Sequence, residues 1–365
     1  MSATLQTAIG VISGTSMDAI DVALVKTDGV MAVETGAVRS YPYHPLLREE
    51  LLRVVADPYR GEFQPLTELE EAVTDAHVSA VAKFMAEEGL RPAQIDLIGL
   101  HGQTVFHAPK RKFTRQLGLG VRAAKNLGIN VVYRFRHADI AAGGEGAPIV
   151  PLYHRALAAK LAKPLMVLNL GGVGNVTFLN GDTVIAFDTG PASALIDDFM
   201  RKRLEKAFDE DGALAASGAV HVEILKQLLD DPYFTQAAPK SLDRNHFHAK
   251  ADLVKDLSDE DGAATLAAFT VEATIRALEH VPEAPLRWLV TGGGRLNKTF
   301  MALFAARLGV PVEPVESVGW NGDGLEAQCF GYLAVRSRMG LPLSLPTTTG
   351  VEEPCKGGEL ALASK

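Results

Sequence analysis

An apolar run from Thr7 to Ile12 gives way to Ser13-Gly14-Thr15-Ser16-Met17-Asp18, and a second apolar run follows from Ile20 to Val25. This predicts a strand, a tight polar turn and a returning strand. Leu46 to Ala56 and Leu66 to Glu88 read as helices, the second with Leu69, Val73, Ala76, Ala80 and Phe84 at helical spacing. Ile95 to Leu100 predicts a buried strand that runs into His101-Gly102-Gln103-Thr104. Ala123 to Leu127 reads as helical, Val131 to Phe135 as a short strand, and Pro148 to Leu161 as a helix with a proline near its start. The strand–turn–strand pattern then recurs. Met166 to Leu170 leads into Gly171-Gly172-Val173-Gly174-Asn175, Val176 to Leu179 returns, and Val184 to Phe187 ends at Asp188-Thr189-Gly190-Pro191. It is an internal repeat of pattern rather than of identity. A helix follows over Ala192 to Lys206, a strand over Trp288 to Val290, and helices over Lys298 to Leu308 and Asp323 to Met339. Residues 341–365, rich in Pro, Thr and Gly, read as a loosely held tail. Strands alternating with helices predict an α/β layer structure.

Length and composition narrow this picture. A chain of 365 residues suits two domains, expected at 1–145 and 146–340. Apolar residues at 47 % and charged residues at 22 % indicate a globular fold. The net charge of −8 offers no basic face for nucleic acid. Cys329 and Cys355 cannot build a disulfide framework. Met1 to Thr7 lacks the basic and apolar parts of a signal peptide, and no apolar run reaches membrane-spanning length. The expectation is a cytoplasmic protein with no membrane partner.

The candidate chemistry lies in the turns. Gly14, Gly171-Gly172 and Gly292-Gly293-Gly294 each follow a strand, where α/β proteins bind ligands. Small residues let backbone N–H groups approach an anion, and Thr15 and Ser16 can donate to phosphate oxygens. Asp18 beside phosphate implies Mg²⁺ or a proton to handle. Neither a Walker A sequence nor G-x-G-x-x-G between strand and helix occurs. Taken singly, the first turn reads better as an ordinary hairpin with polar tips, and for Asp188 the N-cap of the following helix is a serious rival reading. The ten histidines show no H-E-x-x-H pattern, and His246 and His248 lack partners for a zinc site.

Gly14-Thr15-Ser16-Met17-Asp18, His101-Gly102-Gln103-Thr104, Gly143-Gly144-Glu145-Gly146-Ala147-Pro148, Asp188-Thr189-Gly190-Pro191 and Gly292-Gly293-Gly294-Arg295 together resemble the anhydro-N-acetylmuramic acid kinase family, in order from about Ile9 to Pro346. The resemblance implies two duplicated actin-like (ribonuclease H-like) ATPase domains that close on ATP. It implies a homodimer, and a reaction in which ATP phosphorylates the 6-oxygen of 1,6-anhydro-N-acetylmuramic acid while water opens the anhydro ring. In its terms Asp188 is the catalytic base. Gly14, Thr15, Ser16, Met17, Asp18, Ala19, Ile20 and Asp21 form the ATP phosphate loop, with Asp18 serving Mg²⁺. Gly171, Gly172, Gly292, Gly293 and Gly294 flank the nucleotide. His101, Arg136, Asp139 and Glu326 fall on the sugar side. From sequence alone, Glu326 also reads as a solvated helix face, Arg136 and Asp139 as a local ion pair, and His101 as a buried, hydrogen-bonded histidine. Lys240, in Pro239-Lys240-Ser241, and Arg244 read as groups for anions.

Five positions depart from the family pattern. Arg134 stands where an aspartate is usual, and Glu145 where a glutamine is usual. Ala192-Ser193 replaces Gly-Asn, Leu119-Gly120 replaces an aspartate-bearing turn, and Ala19 replaces glycine. If position 192 needs a positive φ, its Cβ costs roughly 1 kcal/mol. Arg134 and Glu145 carry opposite charges that could offset one another. Most departures fall on the sugar side, so a kinase with a shifted substrate and an inactive ATP-binding regulator are the competing readings.

Overall fold

The computed structural model describes residues 4–363, so the outermost parts of the Met1–Thr7 segment and of the 341–365 tail lie outside the described residues. The contacts divide the chain into two units, one holding the described residues up to Ala159 and from Gly324 onward, the other Lys160–Asp323.

The first unit is built on β1 (Gln6–Ser13), β2 (Ala19–Thr27), β3 (Val33–Pro42), β4 (Leu97–Ala108), β5 (Phe113–Leu117), β6 (Val131–Tyr133) and β12 (Glu359–Ala361). The sheet order is β12-β6-β4-β1-β2-β3, with β5 paired to β4. β1, β2 and β3 form an antiparallel meander, and β4 and β6 join parallel on the other side of β1. The second unit repeats this plan with β7 (Leu165–Leu170), β8 (Val173–Asn180), β9 (Thr183–Pro191), β10 (Arg287–Thr291) and β11 (Val312–Pro314), in the order β11-β10-β7-β8-β9. Again the first three strands are an antiparallel meander, and β10 and β11 add in parallel. The same α/β plan is thus present twice in one chain.

Each unit has its own core. Ile9, Val11, Phe84, Ile98 and Leu100 are buried together in the first, and Met166, Leu168, Phe178, Phe269 and Trp288 in the second. The helix Thr67–Glu87 buries Val73, Ala80 and Phe84, as its spacing predicts. The helix predicted from Pro148 begins at Pro151, the proline that occupies its first turn.

The domain boundaries differ from the sequence-based expectation. The helix Leu325–Arg338 lies directly on β1 and β4 of the first sheet. A Cβ on Gly10 would sit 1.7 Å from the Ala327 carbonyl oxygen, and one on Gly99 2.0 Å from that of Phe330. Only glycine admits so close a backbone approach. The segment beyond it is no loose tail: β12 pairs antiparallel with β6, matching Glu359 to Tyr133 and Ala361 to Val131. Among the described residues, no helix is long and apolar enough to cross a membrane.

Candidate functional site

In the first unit the turn between β1 and β2 is held from behind. Gln103 Nε2 donates to the Gly14 carbonyl at 3.2 Å, and Arg48 Nε donates to the Met17 carbonyl at 3.0 Å. A trans peptide sets each carbonyl opposite the next N–H. The N–H groups of Thr15 and Asp18 are therefore turned away from Gln103 and Arg48. Met17 anchors the turn with a buried side chain while its backbone holds φ 52°, a left-handed conformation unusual for a non-glycine residue. Thr15, Ser16 and Asp18 are exposed around it. Asp18 Oδ1 accepts from Ser16 Oγ at 2.6 Å and from the Ala19 N–H at 3.0 Å, which orients the carboxylate. Farther along β2, Asp21 accepts from Ser40 Oγ at 2.7 Å.

The same unit gathers His101, Arg136, Asp139 and Glu326. His101 is buried, and its Nδ1 lies 2.9 Å from the Gly102 carbonyl while Arg136 Nε donates to Nε2 at 3.0 Å. This assignment puts the proton on Nδ1 and requires a neutral ring. Burial, reinforced by the Arg136 charge, holds its pKa well below the usual histidine value. Arg136 Nη1 also donates to the Gly146 carbonyl at 2.7 Å. Asp139 is 3 % exposed; it accepts from the Gly146 N–H at 2.7 Å, from Thr349 Oγ1 at 2.6 Å and from Ser344 Oγ. Its carboxylate thus ties the 143–146 glycine turn to the C-terminal segment, and it does not pair with Arg136 as the sequence allowed. Glu326, in the first turn of Leu325–Arg338, is exposed to solvent. Desolvation raises its pKa, Arg136 opposes the rise and Asp21 adds to it. Exposed as a helix-face residue would be, it also lies where the charges of Arg136 and Asp21 act on it.

In the second unit β9 delivers Asp188 opposite Asn175. Its N–H donates to the Lys240 carbonyl at 2.9 Å, its carbonyl accepts from the Tyr233 hydroxyl at 2.6 Å, and Oδ2 accepts from the Leu242 N–H at 2.8 Å. Asp188 does not cap the next helix. That helix, Ser193–Leu204, has Ala192 at its N-cap and no side-chain cap. Its first amides donate instead to the Gly171-Gly172 turn, Ser193 N to the Gly171 carbonyl at 2.9 Å and Ala194 N to the Gly172 carbonyl at 3.2 Å.

The Gly292 turn ends β10. Gly292 has φ 78°, and a Cβ there would lie 2.4 Å from Asn169 Oδ1, so glycine is required. Beside it is a cavity of about 460 Å³, lined by Gly293, Gly294, Ile196, Phe208, Phe300 and Asp197 among others. That size and mixture of aromatic, apolar and acidic groups suits a nucleoside. Burial pushes the Asp197 carboxyl up to about 6. Neighbouring Asp209 accepts from the Leu214 and Ala215 amides at 2.9 and 3.0 Å.

The anhydro-N-acetylmuramic acid kinase family model matches residues 6–362. The chain belongs to this family. It is 48 % identical to the anhydro-N-acetylmuramic acid kinase of Rhodospirillum rubrum over 96 % of this chain and 93 % of that protein. It is 49 % identical to that of Methylobacterium nodulans over 97 % of this chain and 99 % of that protein.

Two departures from the family pattern resolve in physical terms. Ala192 has φ −119°, so its Cβ incurs no left-handed strain. Arg134 pairs with Glu359 of β12 at 3.2 Å, not with Glu145. Both partners are half-exposed, and such a pair contributes little. Lys240 is buried against carbonyls, not presented to anions. Sequence reasoning missed Arg48, Tyr233, Leu242 and Asp197. Gln103 was missed as well, and it alone carried a signal, through its place in His101-Gly102-Gln103-Thr104.

Proposed function

We propose that this chain is an ATP-dependent kinase of 1,6-anhydro-N-acetylmuramic acid, yielding N-acetylmuramic acid 6-phosphate during cell-wall recycling. Asp188 accepts a proton from water. The water oxygen bonds to C1 of the sugar, the C1–O6 bond breaks, and O6 takes the γ-phosphoryl group as ADP departs. The observation that carries the base assignment is negative and local: the helix Asp188 was free to cap is capped by other groups, while one oxygen of its carboxylate is fixed by an amide. A positioned carboxylate of this kind contributes roughly 10²–10⁴-fold as a general base.

The turn Gly14–Asp18 suits the phosphates of ATP, because its carbonyls are drawn back and its hydroxyls face solvent. Mg²⁺ fits the same turn. Asp18 is exposed and pre-oriented, and this ion is usually held by one or two carboxylates plus substrate phosphates. Bound there, it would spread the charge of the transferring group. The cavity beside Gly293 suits the base and ribose. Arg136, aligned by His101, and Glu326, whose charge Arg136 acts on, suit the sugar. The family resemblance supports a cytoplasmic homodimer.

The test supplies purified protein with ATP, Mg²⁺, the anhydro sugar and ¹⁸O-labelled water. A phosphorylated, ring-opened product carrying the label on the sugar is expected. ADP release only with a different sugar, or ATP binding with no turnover on any sugar, would overturn the reading.

A further inference from the structure

Lys240 has an unusual setting for a lysine. It is 8 % exposed, and its ammonium donates to the Tyr233 carbonyl at 3.1 Å and lies 3.5 Å from that of Phe234. It sits 4.8 Å over the Tyr233 ring and 3.4 Å from His280 Nε2. Glu279 and Arg276 act on it from the neighbouring turn, with opposite signs. Burial lowers its pKa and that of His280, consistent with a neutral imidazole accepting from the ammonium. Burying a lysine is costly unless its hydrogen bonds are met. The three partners here are carbonyls and a ring nitrogen, with no phosphate or carboxylate among them.

Lys240 and Asp188 share a partner, Tyr233, and the Lys240 segment itself holds Asp188. The Tyr233 hydroxyl donates to the Asp188 carbonyl, the Lys240 carbonyl accepts from the Asp188 N–H, and Leu242, two residues on, donates to Oδ2. β9 is the edge of its sheet, so no further strand steadies Asp188 on that side. The segment 240–242 takes that place, and the Lys240 ammonium fastens it to the short helix Pro232–Thr235 that carries Tyr233.

We propose that Lys240 is a positioning residue for the reaction, stapling two segments so that Tyr233 and Leu242 hold the Asp188 carboxylate in its working orientation. The inference rests on the assignment of Asp188 as the base. A small displacement of a reacting group can cost on the order of 10²-fold in rate without loss of binding.

The experiment measures kcat and both KM values for Lys240→Met, Tyr233→Phe and Asp188→Asn, with thermal unfolding of each. Lys240→Met is expected to lower kcat on the order of 10²-fold. Tyr233→Phe keeps the ring under the ammonium and removes one hydrogen bond, so about a five- to tenfold fall in kcat is expected. Both KM values should stay within about twofold, since neither residue is placed on ATP or sugar. Unchanged kcat in a folded Lys240→Met, with Asp188→Asn inactive, would overturn the positioning role and leave the base assignment standing. Full activity in Asp188→Asn would overturn the base assignment itself. If Lys240→Met does not fold, Tyr233→Phe decides, and wild-type kcat there overturns the proposal.

Discussion

The two units open with the same pattern, strand, small-residue turn, returning strand, yet they use the turn in opposite ways. In the first unit, side chains from outside the turn take its carbonyls: Gln103 holds Gly14 and Arg48 holds Met17. In the second, the carbonyls of Gly171 and Gly172 are spent on the first amides of Ser193–Leu204. A turn held from behind offers amides and hydroxyls, while a turn that accepts from a helix is a cap. The chemistry of the second unit moves to the end of its next strand, at Asp188. Equivalent topology thus sets where polar groups gather, and the side chains packed behind each turn set what those groups can do.

The largest expected effect tests that division of labour. Asp188→Asn should lower turnover by roughly 10²–10⁴-fold and leave ATP affinity nearly unchanged. Asp18→Asn should act through the first turn, weakening ATP binding in the presence of Mg²⁺. ATP titration beside steady-state kinetics separates the two. If both variants lose ATP affinity equally, the contrast between the turns fails.

Much of this was legible in the sequence, and the gaps have physical causes. β1, β4, β7 and β10 are buried on both faces and read as continuous apolar runs. β3 escaped because it lies at a sheet edge, largely open to solvent, with no apolar alternation to betray it. β12 is three residues long in a Pro- and Gly-rich stretch, and only pairing with β6 makes it a strand. The Leu325–Arg338 helix was visible as a helix, but its unit was not. Its placement depends on Gly10 and Gly99, whose missing side chains leave no periodic mark. Asp188 was found at a strand end, but its partners Tyr233 and Leu242 are about 50 residues away and carry no motif of their own.

Glycines sharpen the comparison next. Gly10→Ala would drive a Cβ into the Ala327 carbonyl, backbone against backbone, and should destabilise the first unit by about 3 kcal/mol or more. Gly171→Ala meets its nearest atom at 3.6 Å, ordinary contact, and should cost no more than about 1 kcal/mol. Thermal unfolding of both variants checks this. A severe loss for Gly171→Ala would mean that the second turn is more constrained than a cap requires. Gly293→Leu probes the cavity, since nothing lies within 4 Å of a Cβ there. ATP dissociation measured by calorimetry should weaken about tenfold or more while stability changes by no more than about 0.5 kcal/mol. Undiminished ATP affinity would move the nucleoside out of that cavity.

The smallest effect concerns the charge that the second unit keeps in its cavity. The Asp197 carboxyl titrates at about 6 when folded, because burial disfavours the anion. In the unfolded chain an aspartate titrates near 4. Between those values the folded protein binds more protons than the unfolded chain, so this group adds stability as pH falls from about 6 toward about 4. Above about pH 6 it is a buried anion and costs stability in full. Asp197→Asn removes the anion and keeps the shape. The variant should therefore unfold at a higher temperature than the wild type at pH 8. Its advantage should shrink as pH falls below about 6, and be smallest at about pH 4 and below. An equal difference at pH 8 and pH 5 would show that the two proteins differ by packing rather than by charge. Bound ATP supplies the last discrimination. If the cavity holds the nucleoside with Asp197 accepting a hydrogen bond from it, ATP favours the ionised form, and the pH dependence of the difference moves to lower pH when ATP is present. If ATP leaves that dependence unmoved, Asp197 makes no such bond, and the cavity wall is set by Ile196, Phe208 and Phe300 instead.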